Sequence, residues 1–199
     1  MKTLLVNCYL KDAESRLIYY RQMIQPFSEI AELKLEELNP EFDFAPYDAV
    51  VLTGSQWMLS ERDVSEPVRA ALRSLLLPVL GICFGHQLLA RSFGAEVKRG
   101  PEFIDRMERI RFQPWRLFAG LGPEAEMRES HREYVTPESL ERLGWEIGAV
   151  SPSCPVEAIR HPRLPLYGVQ FHPERSEENG ARLFCNFYDI VQSVRTGQG

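Results

Sequence analysis

PVLGICFGHQLLA, residues 78–90, sets a cysteine between two glycines, each two positions away. The run before it is short and apolar, and FGHQLLARSFG after it reads as a helix ended by Gly94. Cys83 therefore falls where a strand hands over to a helix. A nucleophile on such a junction stands on a tight turn. Flanking side chains would collide there, and Gly81 and Gly85 remove the collision. The bend also aims backbone N–H groups at the reaction site. It places the sulfur near a helix N-terminus, whose partial positive charge favours thiolate. Taken alone, the segment also admits a blander reading, a buried cysteine with chance glycines.

Outward from this junction the chain alternates. TLLVNCY (3–9) and YDAVVLTG (47–54) read as buried strands, and AELKLEEL (31–38) as a half-buried one. Residues 12–25 carry Leu17, Ile18, Tyr20 and Ile24 at near-helical spacing. Residues 65–76 follow as a helix, with Ser65 as N-cap and Pro67 in the first turn. Between about 95 and 160 the character changes: AEVKRG, MERIRF, AEMRES, WEIGAV and PVEAIRH read as short strands between turns. PLYGVQF (165–171) returns to a buried strand. Residues 177–193 close as a helix with Leu183, Phe184, Phe187, Ile190 and Val191 on one face. The expected fold class is α/β: three layers, a central and mostly parallel sheet with helices on both faces, and a small antiparallel addition. One domain is expected over 1–195, with 196–199 a disordered tail.

Composition narrows the function. A formal net charge of −5 and 26% charged residues argue against a nucleic-acid partner. No apolar run approaches the ~20 residues of a membrane helix, and Lys11 and Asp12 cut short any signal-peptide core. Cytoplasmic localisation, without membrane association, is the expectation. Cys8, Cys83, Cys154 and Cys185 form no CxxC pair, and their spacing suggests neither a zinc site nor a disulfide framework. No metal and no cofactor are expected. Gly120 to Ala125 loosely fits a dinucleotide fingerprint but lacks a β-α-β frame and contains Pro123, so it reads as a turn.

A base for Cys83 must come from His86, His131, His161 or His172. His86 shares the Cys83 helix and reads as structural. His161 sits before Pro162 in a turn-rich loop and reads as exposed. His131 adjoins Ser130, but adjacent side chains diverge in extended chain. His172 ends the strand PLYGVQF and is followed by Pro173 and Glu174. Pro173 biases His172 toward extended backbone. Residues two apart then share a side, so Glu174 can reach back to the ring, fix its tautomer and stabilise the imidazolium. The candidate catalytic set is Cys83, His172 and Glu174. The other three cysteines lack bracketing glycines and an evident base.

With GICFGHQLLA (81–90), ESHREYV (129–135) and VEAIRHPRLPLYGVQFHPE (156–174) in place, the sequence resembles class I glutamine amidotransferases of the Cys-His-Glu type. Its last two motifs look most like the amidotransferase domain of GMP synthetases. The resemblance implies hydrolysis of the glutamine side-chain amide through a cysteinyl thioester, with ammonia passed to a separate synthase or acceptor-binding protein. It implies oxyanion donors at the backbone of Phe84 and in the turn Gly54-Ser55, and substrate contacts at Gln87, Ser130 and His131. One departure stands out. Relatives usually carry Gly-Gly-Pro where this chain has Gly54-Ser55-Gln56. Serine resists positive φ and the stiffening proline is gone, so the expectation is a looser hole, or one formed only on docking. Two alternatives keep the fold: a stand-alone γ-glutamyl hydrolase, and a catalytically weak regulatory module.

Overall fold

Strand β4 (Val79–Ile82) lies inside a nine-stranded sheet of order β2-β1-β3-β4-β9-β8-β7-β5-β6. The computed structural model describes residues 1–197. Within them the chain runs β1 (Lys2–Asn7), α1 (Ala13–Ile24), β2 (Glu29–Lys34), β3 (Ala49–Leu52), α2 (Glu66–Arg73), β4, α3 (Phe84–Ser92), β5 (Val97–Phe112) and β6 (Glu124–Val135). It continues through α4 (Pro137–Leu143), β7 (Glu146–Val150), β8 (Ala158–Arg160), β9 (Leu166–Val169) and α5 (Glu177–Arg195). The fold is α/β with a mixed sheet. Pairings from β2 through β1, β3 and β4 to β9 are parallel, and those from β9 through β8, β7 and β5 to β6 are antiparallel.

Alternation along β1 explains how the sheet is buried. Leu4 and Val6 enter one apolar core, which includes Val68, Ala71 and Leu72 of α2 and Leu88 of α3. Leu5 enters a second, with Leu17, Tyr20 and Ile24 of α1 and Phe184, Phe187 and Val191 of α5. Successive side chains on a strand point to opposite faces, so both faces of the parallel strands are apolar. Each fully buried Leu, Ile, Val or Phe contributes about 1.5–3 kcal/mol relative to exposure.

Several local expectations are corrected. Ile18 is 48% exposed, because the α1 face that packs is Leu17, Tyr20 and Ile24. β2 ends at Lys34, and Leu35–Glu37 forms a 3-10 turn that buries Leu35. AEVKRG and MERIRF are one strand of 16 residues, β5, which pairs along nearly all of β6. Gly100-Pro101 does not end it: the register shifts between Arg99 and Ile104, where residues 100–103 stand against Arg132 alone. The antiparallel part is thus larger than a small addition. Of the expected tail, Thr196 and Gly197 form a turn bonded back to α5, with Thr196 N–H on Gln192 O and Gly197 N–H on Val194 O. Residues 198 and 199 lie outside the described residues. Among the described residues, no helix is long and apolar enough to cross a membrane.

The glycines around Cys83 are there for contact. A Cβ on Gly85 would lie 2.4 Å from the Leu52 carbonyl oxygen, and one on Gly81 2.6 Å from the Gly85 carbonyl oxygen. Helix α3 can begin against β3 and β4 only without those atoms. Gly85→Ala is therefore expected to destabilise the fold by about 3 kcal/mol or more, since the blocking atoms are backbone. Urea unfolding monitored by circular dichroism checks this, and a midpoint equal to that of the native chain would refute the close-approach argument.

Candidate active site

Cys83 has φ 52° and ψ −105°, one of three positive-φ residues other than glycine among the described residues. Such backbone costs about 1–3 kcal/mol. Its neighbours hold it there: Cys83 N–H donates to Val169 O at 2.8 Å, and its carbonyl accepts Gln87 N–H at 3.1 Å. The side chain is buried, and the thiol points at Ser130 O, 3.7 Å away. The next residue, Phe84, opens α3, and its N–H makes no hydrogen bond among the described residues.

The HPE segment pairs His172 with Glu174 as expected, but Pro173–Arg175 is a 3-10 turn and not the expected extended chain. His172 has φ −104° and ψ 85°, and Nδ1 lies 2.7 Å from Glu174 Oε1. A carboxylate only accepts, so Nδ1 carries the proton and Nε2 is the nitrogen turned to the cavity. Nε2 is closed to bulk water and has no hydrogen-bond partner. Two further bonds fix the residue: its N–H donates to Arg128 O at 2.7 Å, and its carbonyl accepts Ser176 Oγ at 2.7 Å. Burial works against charge on the ring. The Glu174 carboxylate and the Cys83 sulfur outweigh it and hold the imidazole pKa well above its ordinary range. His172 and Cys83 line the same cavity.

Cys83, His172 and Glu174 open onto a cavity of about 490 Å³ whose lining also includes Ser55, Gln87, Ser130, His131 and Glu133. All the sequence-derived candidates meet there except Gly54, which sits just behind. A Cβ on Gly54 would touch His172 Cε1 at 3.2 Å. Its N–H, however, is spent on the Tyr20 hydroxyl at 3.0 Å, so Gly54 is corrected as a free donor. Ser55 N–H makes no hydrogen bond among the described residues.

The turn is also tighter than the missing proline suggests. Ser55 does not have positive φ. Its hydroxyl donates to Cys8 O at 2.6 Å and accepts Trp57 N–H at 3.0 Å. Gln56 reaches the loop after β1, donating to Lys11 O at 3.1 Å and accepting Leu10 N–H at 3.3 Å. Side-chain hydrogen bonds thus do the stiffening that a proline ring would do.

Gln87 is buried, and its amide donates to Glu133 O at 2.8 Å and Gln170 Oε1 at 2.9 Å. It ties α3 to β6 while still lining the cavity. His131 is buried, with Nδ1 3.0 Å from Glu133 O. His86 is fully buried, and burial lowers its pKa to about 3, so it stays neutral. His161 is half-buried rather than exposed. Its Nδ1 accepts the N–H of Arg163 and of Leu164, and its ring packs on Trp145 and Phe93.

Two residues at the site have no role that the sequence announces. Tyr20 holds Gly54 in place. Glu133, 1% exposed, accepts Leu59 N–H at 2.8 Å and Ser60 N–H at 2.9 Å, pinning the loop that forms one cavity wall. Glu133 lies inside the ESHREYV motif, which is its only signal.

A family model described as glutamine amidotransferase class-I matches residues 13–191. The glutamine-hydrolysing GMP synthase subunit of Archaeoglobus fulgidus is 40% identical over 166 residues, covering 81% of this chain and 86% of that protein. The corresponding subunit of Methanothermobacter thermautotrophicus is 39% identical over 126 residues, and the chain spans 65% of its length. In fold, the structure of a protein assigned as a GMP synthase subunit from Thermoplasma acidophilum superposes with a TM-score of 0.84 at 24% identity, covering 100% of this chain and 97% of that one.

Proposed function

Since the chain belongs to the class I glutamine amidotransferase family, we propose that it hydrolyses the side-chain amide of glutamine and delivers ammonia to a separate synthase. The relatives named above are the glutamine-hydrolysing subunits of GMP synthases, which makes a GMP-forming synthase subunit the first partner to test. We read residues 1–195 as one amidotransferase domain of three layers. Its four cysteines are all free, which fits a reducing cytoplasm.

Each step follows from a group already in place. The Cys83 sulfur, its proton taken by His172 Nε2, attacks the amide carbon of glutamine. The charge that develops on the amide oxygen lies between the N–H groups of Phe84 and Ser55, each such donor contributing ~3–4 kcal/mol. His172, protonated at Nε2, gives that proton to the departing nitrogen, and ammonia leaves. Nε2 then takes a proton from water, which cleaves the γ-glutamyl thioester and frees glutamate and the thiol. Glu174 keeps Nδ1 protonated throughout. Gln87 and the backbone at Ser130 and His131 are the proposed contacts for the rest of the substrate.

The observation that carries this reading is the convergence of Cys83, His172 and Glu174 on one cavity, with His172 Nδ1 2.7 Å from Glu174. Tyr19 and Phe103 also line that cavity, and they are 44% and 57% exposed, an apolar rim suited to a docked partner. The cavity's size favours a second reading. About 490 Å³ exceeds what glutamine fills, and Arg16, Arg132 and Arg175 on its wall form no ion pair among the described residues. Larger γ-glutamyl compounds would fit.

Treatment with a glutamine-analogue electrophile followed by peptide mass spectrometry tests the mechanism. The expected result is one adduct, on Cys83, suppressed by excess glutamine. An adduct on Cys8, Cys154 or Cys185 instead would end the reading. A panel of γ-glutamyl amides decides between the two substrates, with glutamine as the poorest of them favouring the second.

A further inference from the structure

Next to the cavity, sharing His131 with its lining, lies a second polar cluster. Strand β6 contributes Glu129 and His131, the β7–β8 connection Cys154, and the residue before β8 Glu157. Glu129 and Glu157 are both 0% exposed, Cys154 1% and His131 6%. Neither oxygen of either carboxylate has a hydrogen-bond partner, and neither has His131 Nε2. One ligand-capable atom each from His131, Cys154 and Glu157 lie within 4.8 Å of one another. Glu129 Oε2 lies 3.3 Å from His131 Nε2 but outside that group, so it would have to move in to become a fourth ligand.

Buried polar groups are normally satisfied, and buried anions need a partner. Here two carboxyls and a thiol crowd one buried space. Protons alone would keep the groups neutral but leave acceptors unmet. A divalent cation would neutralise them and use the lone pairs.

The histidine is set up for that use. Its Nδ1 lies 3.0 Å from Glu133 O, a carbonyl that can only accept, so Nδ1 carries the proton and Nε2 presents its lone pair to the cluster. Metal-binding histidines are oriented by this kind of backbone bond on the other ring nitrogen.

We propose that Glu129, His131, Cys154 and Glu157 form a structural zinc site. One nitrogen, one sulfur and two carboxylate oxygens are a borderline donor set that suits zinc over magnesium or calcium. Zinc bonds of about 2.0–2.3 Å put tetrahedral donors roughly 3.3–3.8 Å apart, so the side chains close in by about 1 Å. Binding displaces the Cys154 thiol proton and any proton on the carboxyls to solvent. The metal would clamp β6 to the β7–β8 connection on either side of Ser130, whose carbonyl faces the Cys83 thiol. The ligands, at 129, 131, 154 and 157, come from separate stretches of the chain, so no cysteine-pair spacing announces them. This departs from the metal-free expectation and does not depend on the catalytic reading.

The test uses the full chain. Purified from zinc-supplemented culture, it is expected to hold about one zinc per chain by elemental analysis. After chelation and addition of cobalt(II), a thiolate charge-transfer band and the visible bands of a tetrahedral site should appear. Cys154→Ser should lose the charge-transfer band, and Glu157→Gln should weaken cobalt binding at least ~10-fold. A folded native chain that retains no zinc and gives no cobalt spectrum overturns the site, and needs no variant to do so. A charge-transfer band that survives in folded Cys154→Ser overturns it as well.

Discussion

Replacing Cys83 with alanine is expected to lower kcat for glutamine hydrolysis by at least about 10⁴-fold. No neighbouring group can form the thioester in its place. Ser130 faces the cavity by its carbonyl, and the other three thiols have no evident base. Alanine is smaller than cysteine and makes the same demand on φ, so the strained turn and the Gly81 and Gly85 contacts persist. The variant should unfold near the native temperature and still bind glutamine. Ammonia release under saturating glutamine, with and without a synthase subunit, measures the loss. Should the native chain turn over slowly alone, stoichiometric labelling by the electrophile reports the same difference. A folded variant retaining more than a tenth of native activity would remove the sulfur from the chemistry.

Glu174→Gln is the second large effect, an expected fall of about 10²–10⁴-fold in kcat/KM. Glutamine can still accept from His172 Nδ1, so ring orientation survives in part, but the negative charge does not. That charge does most to oppose burial and hold the His172 pKa up. Without it, burial dominates and the ring gives up its proton at lower pH. The imidazolium that protonates the leaving nitrogen is present below the ring's pKa and lost above it. The alkaline limb of the kcat/KM profile should therefore move to lower pH in the variant. A limb that stays where it was, with activity reduced, would show that Glu174 acts only by position.

Which parts of this site can be read from sequence depends on how local the physics is. The Gly-x-Cys-x-Gly junction is legible because both close approaches are made within the junction or against the adjacent strand. His172 and Glu174 are legible because they are two residues apart and meet locally, although through a 3-10 turn and not the expected extended chain. Tyr20 is not, since its bond to Gly54 spans 34 positions, nor is Glu133, whose bonds to Leu59 and Ser60 span 74 and 73. β5 reads as two strands because Gly100-Pro101 normally ends one, and only pairing with β6 carries the chain through. Helix α4 escapes notice although it carries Pro137 in its first turn and Gly144, in left-handed conformation, at its C-cap. It spans seven residues, too few to display a periodicity. Gly54-Ser55-Gln56 looks loose only while its side chains are compared by type, without the bonds that Ser55 and Gln56 go on to make.

The two oxygens of Glu133 act on the 55–64 loop like a gauge block. They grip it at a set distance from residue 54, so the number of residues between turn and grip is fixed by geometry. Chains sharing this clasp could vary side chains along that stretch, and with them what the pocket admits, while its length stayed constant. Insertions would have to be accommodated beyond residue 60, where they leave the reacting atoms undisturbed.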